Sequence, residues 1–335
     1  MWIRRISAVA ALCFTTTAVA DINLYSSRKE ALIQPLLNQF TEKTGIEVRL
    51  LTGKDDALLS RLKMEGSASP ADLLITADVA RLHRAKEMGL TQPVESTALN
   101  EAIPANLRDS DNHWFGMTSR ARPIIYAKDR VNPEQLSTYE ALTDEQWKGR
   151  ICIRSSSNVY NQSLIASAIA ANGVEATEAW VEGLVANFAR PPAGGDTDQL
   201  KAAAAGVCDI AIANTYYLAR LVRSDKASDK AVADQLAVFW PNQNDRGTHF
   251  NISGAALTAS SKNRDETVAL LEYMVSQEAQ EWYAEVNNEY PVVAGVEPSN
   301  VLKAFGTAKS DDVALSKLGE LNQEALRLMD RAGWK

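Results

Sequence analysis

The chain has 335 residues, 46% of them hydrophobic, with 35 basic against 42 acidic side chains and a formal net charge of −7. Single cores stop growing at roughly 250 to 300 residues, so this length implies two lobes. The acidic balance, with no basic stretch and no membrane-length apolar run after the N-terminus, excludes nucleic-acid binding and membrane insertion of the mature chain.

Residues 1–20 carry Arg4 and Arg5, an apolar stretch from Ile6 to Phe14 and a small-residue ending Ala18-Val19-Ala20. This is the anatomy of a secretory signal peptide, and its apolar stretch is too short to span a bilayer. Cys13 follows Leu12, where a lipid-attachment site wants a small residue. The mature chain is therefore expected to start at Asp21, with 33 basic against 42 acidic side chains, in an oxidising compartment outside the cytoplasm.

From Ile22 short β-like runs alternate with helical segments. Strands are predicted over Ile22 to Tyr25, Glu47 to Leu51 and Asp72 to Thr76, with helices over Leu32 to Thr44, Ala57 to Met64 and Val79 to Met88. Such alternation predicts α/β lobes with mainly parallel sheets covered on both faces. Trp114 to Tyr126 is a longer run with strand character, interrupted by the polar Thr118-Ser-Arg120, and reads as a crossover strand into a second lobe.

The second lobe is expected to hold Glu134 to Leu142, Ile151 to Ile153, a helix at Tyr160, a helix over Glu178 to Phe188, Val207 to Ala213 and Leu236 to Trp240. Asn251 to Thr258 reads as the strand returning to the first lobe, followed by a helix over Asp265 to Val286 and a turn at Asn287-Asn-Glu-Tyr-Pro291. The helical segment from Asn300 to Lys335 is expected on the second lobe. The predicted organisation is thus residues 21–120 with 246–298 in lobe 1, and 121–245 with 299–335 in lobe 2, hinged by the crossover strands.

Two stretches share one plan of strand, polar turn, tyrosine and helix. The first is Arg154-Ser-Ser-Ser-Asn-Val-Tyr-Asn-Gln-Ser163 after Ile151 to Ile153, and the second is Ala213-Asn-Thr-Tyr-Tyr-Leu-Ala-Arg220 after Val207 to Ala213. The carboxyl end of a buried strand in an open α/β sheet is where such folds bind ligands, so Tyr160, Tyr216 and Tyr217 are expected at one sheet edge. Boundary tyrosines with packed rings and wet hydroxyls are the bland alternative. Cys152 and Cys208 stand near the starts of the two strands, eight residues before Tyr160 and Tyr216 respectively. In an oxidising compartment this even pair favours a disulfide, the alternative being two small buried thiols.

On these two tyrosine stretches, and over nearly the whole mature chain, the sequence resembles the periplasmic ferric-ion-binding proteins of ABC iron transporters, a transferrin-like family with a type II periplasmic binding protein fold. The resemblance implies a monomer that captures ferric ion in the periplasm and delivers it to an ABC permease in the inner membrane. It implies Tyr160, Tyr216 and Tyr217 as metal ligands. It also implies a carbonate or bicarbonate beside the metal, held by arginines matching Arg28, in Ser26-Ser-Arg-Lys-Glu30, and Arg120, in Thr118-Ser-Arg-Ala-Arg122. The chemistry agrees: Fe(III) prefers anionic oxygen, a phenol with a pKa near 10 yields its proton only to a strongly charged cation, and guanidinium forks suit planar oxyanions.

The sequence departs from the family in the first lobe. Relatives with His-Tyr after the Ser-Ser-Arg supply two further ligands, where this chain has Lys29 and Glu30, and others use a glutamate where Ala77 follows Thr76. Glu30 and Asp78 are left as first-lobe candidates. A competing reading is a binding protein of the same fold for a small organic solute such as a polyamine or anion, with the tyrosines as aromatic walls. An enzyme is not supported. His83, His113 and His249 have no metal-ligand spacing, and the chain lacks a phosphate loop, a nucleophile elbow and a zinc motif.

Overall fold

The computed structural model describes residues 21–335, so the signal peptide read over residues 1–20 lies outside the described residues. The strands are β1 (Ile22–Ser26), β2 (Val48–Thr52), β3 (Leu73–Thr76), β4 (Phe115–Ala121), β5 (Ile124–Ala127), β6 (Ile151–Cys152), β7 (Ile210–Ile212), β8 (Leu236–Phe239) and β9 (Phe250–Leu257). They form two mixed sheets, one ordered β2-β1-β3-β9-β4 and the other β6-β7-β5-β8. In the first sheet β1 pairs parallel with β2 and β3, and β9 lies antiparallel between β3 and β4. In the second, β6 and β7 are parallel, and β5 is antiparallel to both β7 and β8. The chain passes between sheets twice, from β4 to β5 and back from β8 to β9, which is a two-lobed α/β protein hinged by crossover strands.

The forward crossing breaks at Arg122-Pro123, between β4 and β5, whereas the polar Thr118-Ser-Arg120 lies inside β4. Pro123 has no N–H to give to a ladder and forces its neighbour extended, so the ladder hands over there. Thr118, Ser119 and Arg120 look like a break because they are polar, yet all three are buried within the hinge. The stretch from Asp265 to Val286, read as one helix, is divided into Arg264–Met274, Gln277–Trp282 and a π-helical turn Tyr283–Asn287. Ser276 causes the restart, its hydroxyl accepting from the Ala279 N–H. Glu134 to Leu142 contains two short 3₁₀ turns, and the helices Thr97–Ala102 and Ala227–Asp234 carry no strong periodic signal.

The strands β3 and β7 are buried at every residue and read as short apolar runs, as expected of strands covered on both faces. One core gathers Ile22, Leu36, Phe40, Leu73, Phe115 and Leu271 against the first sheet. Another runs from Leu82 and Ile252 through Leu318 to Leu164, Trp147 and Leu328. The helix Leu315–Glu320, in the C-terminal segment, packs both on the Val79–Glu87 helix, beside the first sheet, and on the Val159–Asn172 helix, beside the second. The C-terminal segment therefore touches both lobes.

Cys152 and Cys208 form a disulfide, with Cα atoms 5.8 Å apart. It ties β6 to the entrance of β7, adding a covalent link to a parallel pair of only two residue partners. Closing a loop over 56 residues limits the unfolded chain and should stabilise by about 4 kcal/mol. The expected result is a clear fall in melting temperature for the Cys152→Ser/Cys208→Ser variant. Two titratable thiols in the denatured, unreduced protein would contradict the bridge in solution.

Candidate metal centre

Tyr160 lies in the first turn of the Val159–Asn172 helix, whose cap Asn158 accepts from the Tyr160 N–H at 3.2 Å. Tyr216 and Tyr217 lie in the first turn of the Thr215–Val222 helix, directly after β7. Both helices start where a buried strand gives out at a polar turn, so local sequence alone puts phenols at the positive ends of two helix dipoles. The Tyr216 and Tyr217 rings stand 4.4 Å apart between centroids, the Tyr216 hydroxyl accepts from the Asn214 amide at 3.2 Å, and Asn214 lines one small cavity with Tyr160. The three tyrosines are thus brought together.

Their environment decides what the cluster can hold. Burial pushes the Tyr160 phenol up to about 12, with Arg120 opposing the shift. Burial, then the neighbouring Tyr160 and Tyr217 oxygens, push Tyr216 well above the ordinary phenol value, again against Arg120. Protonated phenols crowded in this way repel one another as phenolates until a highly charged cation lies among them. Among the described residues no three His, Cys, Asp or Glu side chains are grouped to hold a metal ion.

Arg120 is 3% exposed and sits 5.1 Å from the Tyr160 ring centroid. Its terminal nitrogens donate to the Ser253 hydroxyl at 2.8 Å and the Ile252 carbonyl at 2.6 Å, both neutral acceptors, and its Nε has no partner. Its charge is therefore unmatched by a directly bonded carboxylate and available to phenolates and anions. Arg28 is also buried, but its fork is engaged by Glu289, at 2.5 Å and 3.3 Å, and by the Thr118 hydroxyl at 3.0 Å. Burial disfavours the Arg28 charge, Glu289 outweighs this, and the guanidinium pKa rises, with Tyr216 contributing to the same field.

Of the first-lobe candidates, Glu30 is exposed, as is its neighbour Lys29. Asp78 is fully buried and caps the Val79–Glu87 helix. It accepts from the Ser163 hydroxyl at 2.8 Å, on the Tyr160 helix, and from the Asn251 amide at 2.9 Å. It lines a small cavity with Arg120, Arg122, Tyr160, Asn214, His249 and Asn251.

Two residues escape sequence reasoning. Arg122 donates to Asn161 at 2.7 Å, to Asn214 at 3.1 Å and to Asp196 at 3.1 Å, so one buried guanidinium ties both tyrosine-bearing turns to the Asp196–Ala204 helix. A charged residue beside a proline inside an apolar run is the available signal, because a buried charge needs partners. Glu289 gives less warning, standing in a polar turn that reads as solvated.

Residues 36–310 match the family model described as bacterial extracellular solute-binding protein. The chain is 50% identical over 315 residues to iron uptake protein A1 of Synechocystis sp., covering 94% of this chain and 88% of that one. It is similar to a Trichodesmium structure in complex with iron and citrate ligands, at 55% identity and a TM-score of 0.91, covering 94% of this chain and all of that one. It is also similar to the ferric binding protein from Campylobacter jejuni, at 42% identity and a TM-score of 0.90, with the same coverage.

Proposed function

The chain belongs to the bacterial extracellular solute-binding proteins, and from that premise we propose that it is a periplasmic, monomeric carrier that captures ferric ion and delivers it to an ABC-type inner-membrane permease. The observation that carries this reading is the meeting of Tyr160, Tyr216 and Tyr217 beside Arg120. Three phenolates match the charge of one ferric ion and supply the hard, anionic oxygen it prefers. Relatives named for iron uptake and ferric binding, similar over nearly the whole chain, support the same cargo.

Three ligands leave coordination positions open, and a carbonate or bicarbonate held by Arg120 and Arg28 completes the site in this proposal. The unmatched Arg120 charge supports an anion there, and the Trichodesmium relative was solved in complex with iron and citrate ligands. The test is ferric titration of the purified protein, read by metal content and by the phenolate-to-iron charge-transfer band, with bicarbonate present and removed. A protein that takes up no iron and develops no band overturns the reading. Arg120→Ala is expected to weaken iron binding by about 10- to 100-fold, as for loss of a residue supporting a ligand, and to flatten the response to bicarbonate.

A further inference from the structure

The Arg28–Glu289 pair stands out because it fills a fork that the incoming anion needs. Both guanidinium ends are taken, one to each carboxylate oxygen. The Thr118 hydroxyl braces the pair, accepting from Arg28 and donating to Glu289. Both side chains are 5% exposed, so water does not share the fork.

The pair faces the tyrosine cluster. Thr118 and Arg120 are two residues apart on β4 and so share one face of the strand. Arg120 in turn lies 5.1 Å from the Tyr160 ring centroid, so the strand face that holds the pair also meets the tyrosines. The Glu289 backbone is pinned, because the next residue, Tyr290, exchanges two main-chain hydrogen bonds of 2.8 Å with Ser119 on the same strand. Glu289 therefore cannot leave with its segment. Only its side chain can yield.

Resting on the ferric reading above, we infer that Glu289 is a resident carboxylate that competes with the exogenous anion for the Arg28 fork and sets how much anion is needed before ferric ion is held. A carbonate presents the same planar O–C–O edge as a carboxylate, and one guanidinium fork serves one such edge at a time. With Glu289 in place, the anion must displace a bidentate, charge-assisted pair. Without its charge, Arg28 is a buried cation lacking a counter-ion, a state that draws an anion in.

The experiment is a bicarbonate titration of the charge-transfer band at fixed ferric ion, for the parent, Glu289→Gln and Thr118→Val. Glu289→Gln keeps the shape and removes the charge, and it is expected to lower the bicarbonate concentration for half-maximal band by about tenfold, a typical worth for a hydrogen bond to a charged group. Thr118→Val keeps both charges but removes the brace, and should shift the requirement less, in the same direction. An unchanged or raised bicarbonate requirement in Glu289→Gln overturns the inference. So does weaker iron binding at saturating bicarbonate, which would mark Glu289 as a ligand or a purely structural support. If Glu289→Gln does not fold, as judged by its melting curve, Thr118→Val decides alone, and no shift there overturns the inference. A parent with no band at any bicarbonate concentration instead refutes the ferric reading, so the two failures are distinguishable.

Discussion

Tyr216→Phe is expected to abolish or strongly shift the charge-transfer band and to weaken ferric binding by more than the roughly 10- to 100-fold that loss of an outer-shell partner costs. Tyr160→Phe and Tyr217→Phe should behave in the same way, because each change deletes one oxygen and keeps the ring. The fold should tolerate them. The Tyr216 hydroxyl accepts from the Asn214 amide at 3.2 Å, a neutral hydrogen bond whose loss costs the iron-free protein about 1 kcal/mol. The pattern separates the readings, since an aromatic wall for an organic solute works nearly as well with Phe as with Tyr. Three variants that bind iron with the parent's spectrum and affinity would place the metal elsewhere.

Acid should release iron steeply. Tyr160, at about 12, and Tyr216, well above its ordinary value, are protonated throughout the physiological range in the iron-free site. Ferric ion must displace those protons, so binding releases them and apparent affinity rises with pH. The sign follows directly: lowering pH supplies the competitor and favours the iron-free form. If all three phenols ionise, the apparent association constant should fall by about three orders of magnitude per pH unit at saturating bicarbonate. Iron affinity measured between about pH 6 and 8, where an ordinary phenol stays protonated, checks this. A slope near zero would mean that no phenol loses its proton on binding.

Where the candidate tyrosines lie in the fold is largely legible in the sequence. A buried apolar strand, a polar break and a helix start are features of a single stretch of chain, set by side-chain burial and capping within a few residues. Asn158 ahead of Tyr160 and Asn214-Thr215 ahead of the tyrosine pair therefore announce where the phenols lie, and the matched positions of Cys152 and Cys208 announce which strands are neighbours. The alternation of strands and helices likewise determines the α/β class and the two crossings.

What only the tertiary structure decided is the partner of each buried charge. A buried arginine in the sequence states that counter-charges or acceptors are required, but not which. Arg28 finds Glu289 across 261 positions, and Arg122 finds Asp196 across 74. Asp78 meets Ser163 from the other lobe, and the Leu315–Glu320 helix packs on both lobes. Each of these contacts exists because two crossings bring remote backbone segments to one cleft, and no local periodicity records that meeting. The placement of the candidate ligands is thus local and readable from the chain, while the electrostatics around them are a property of the tertiary topology.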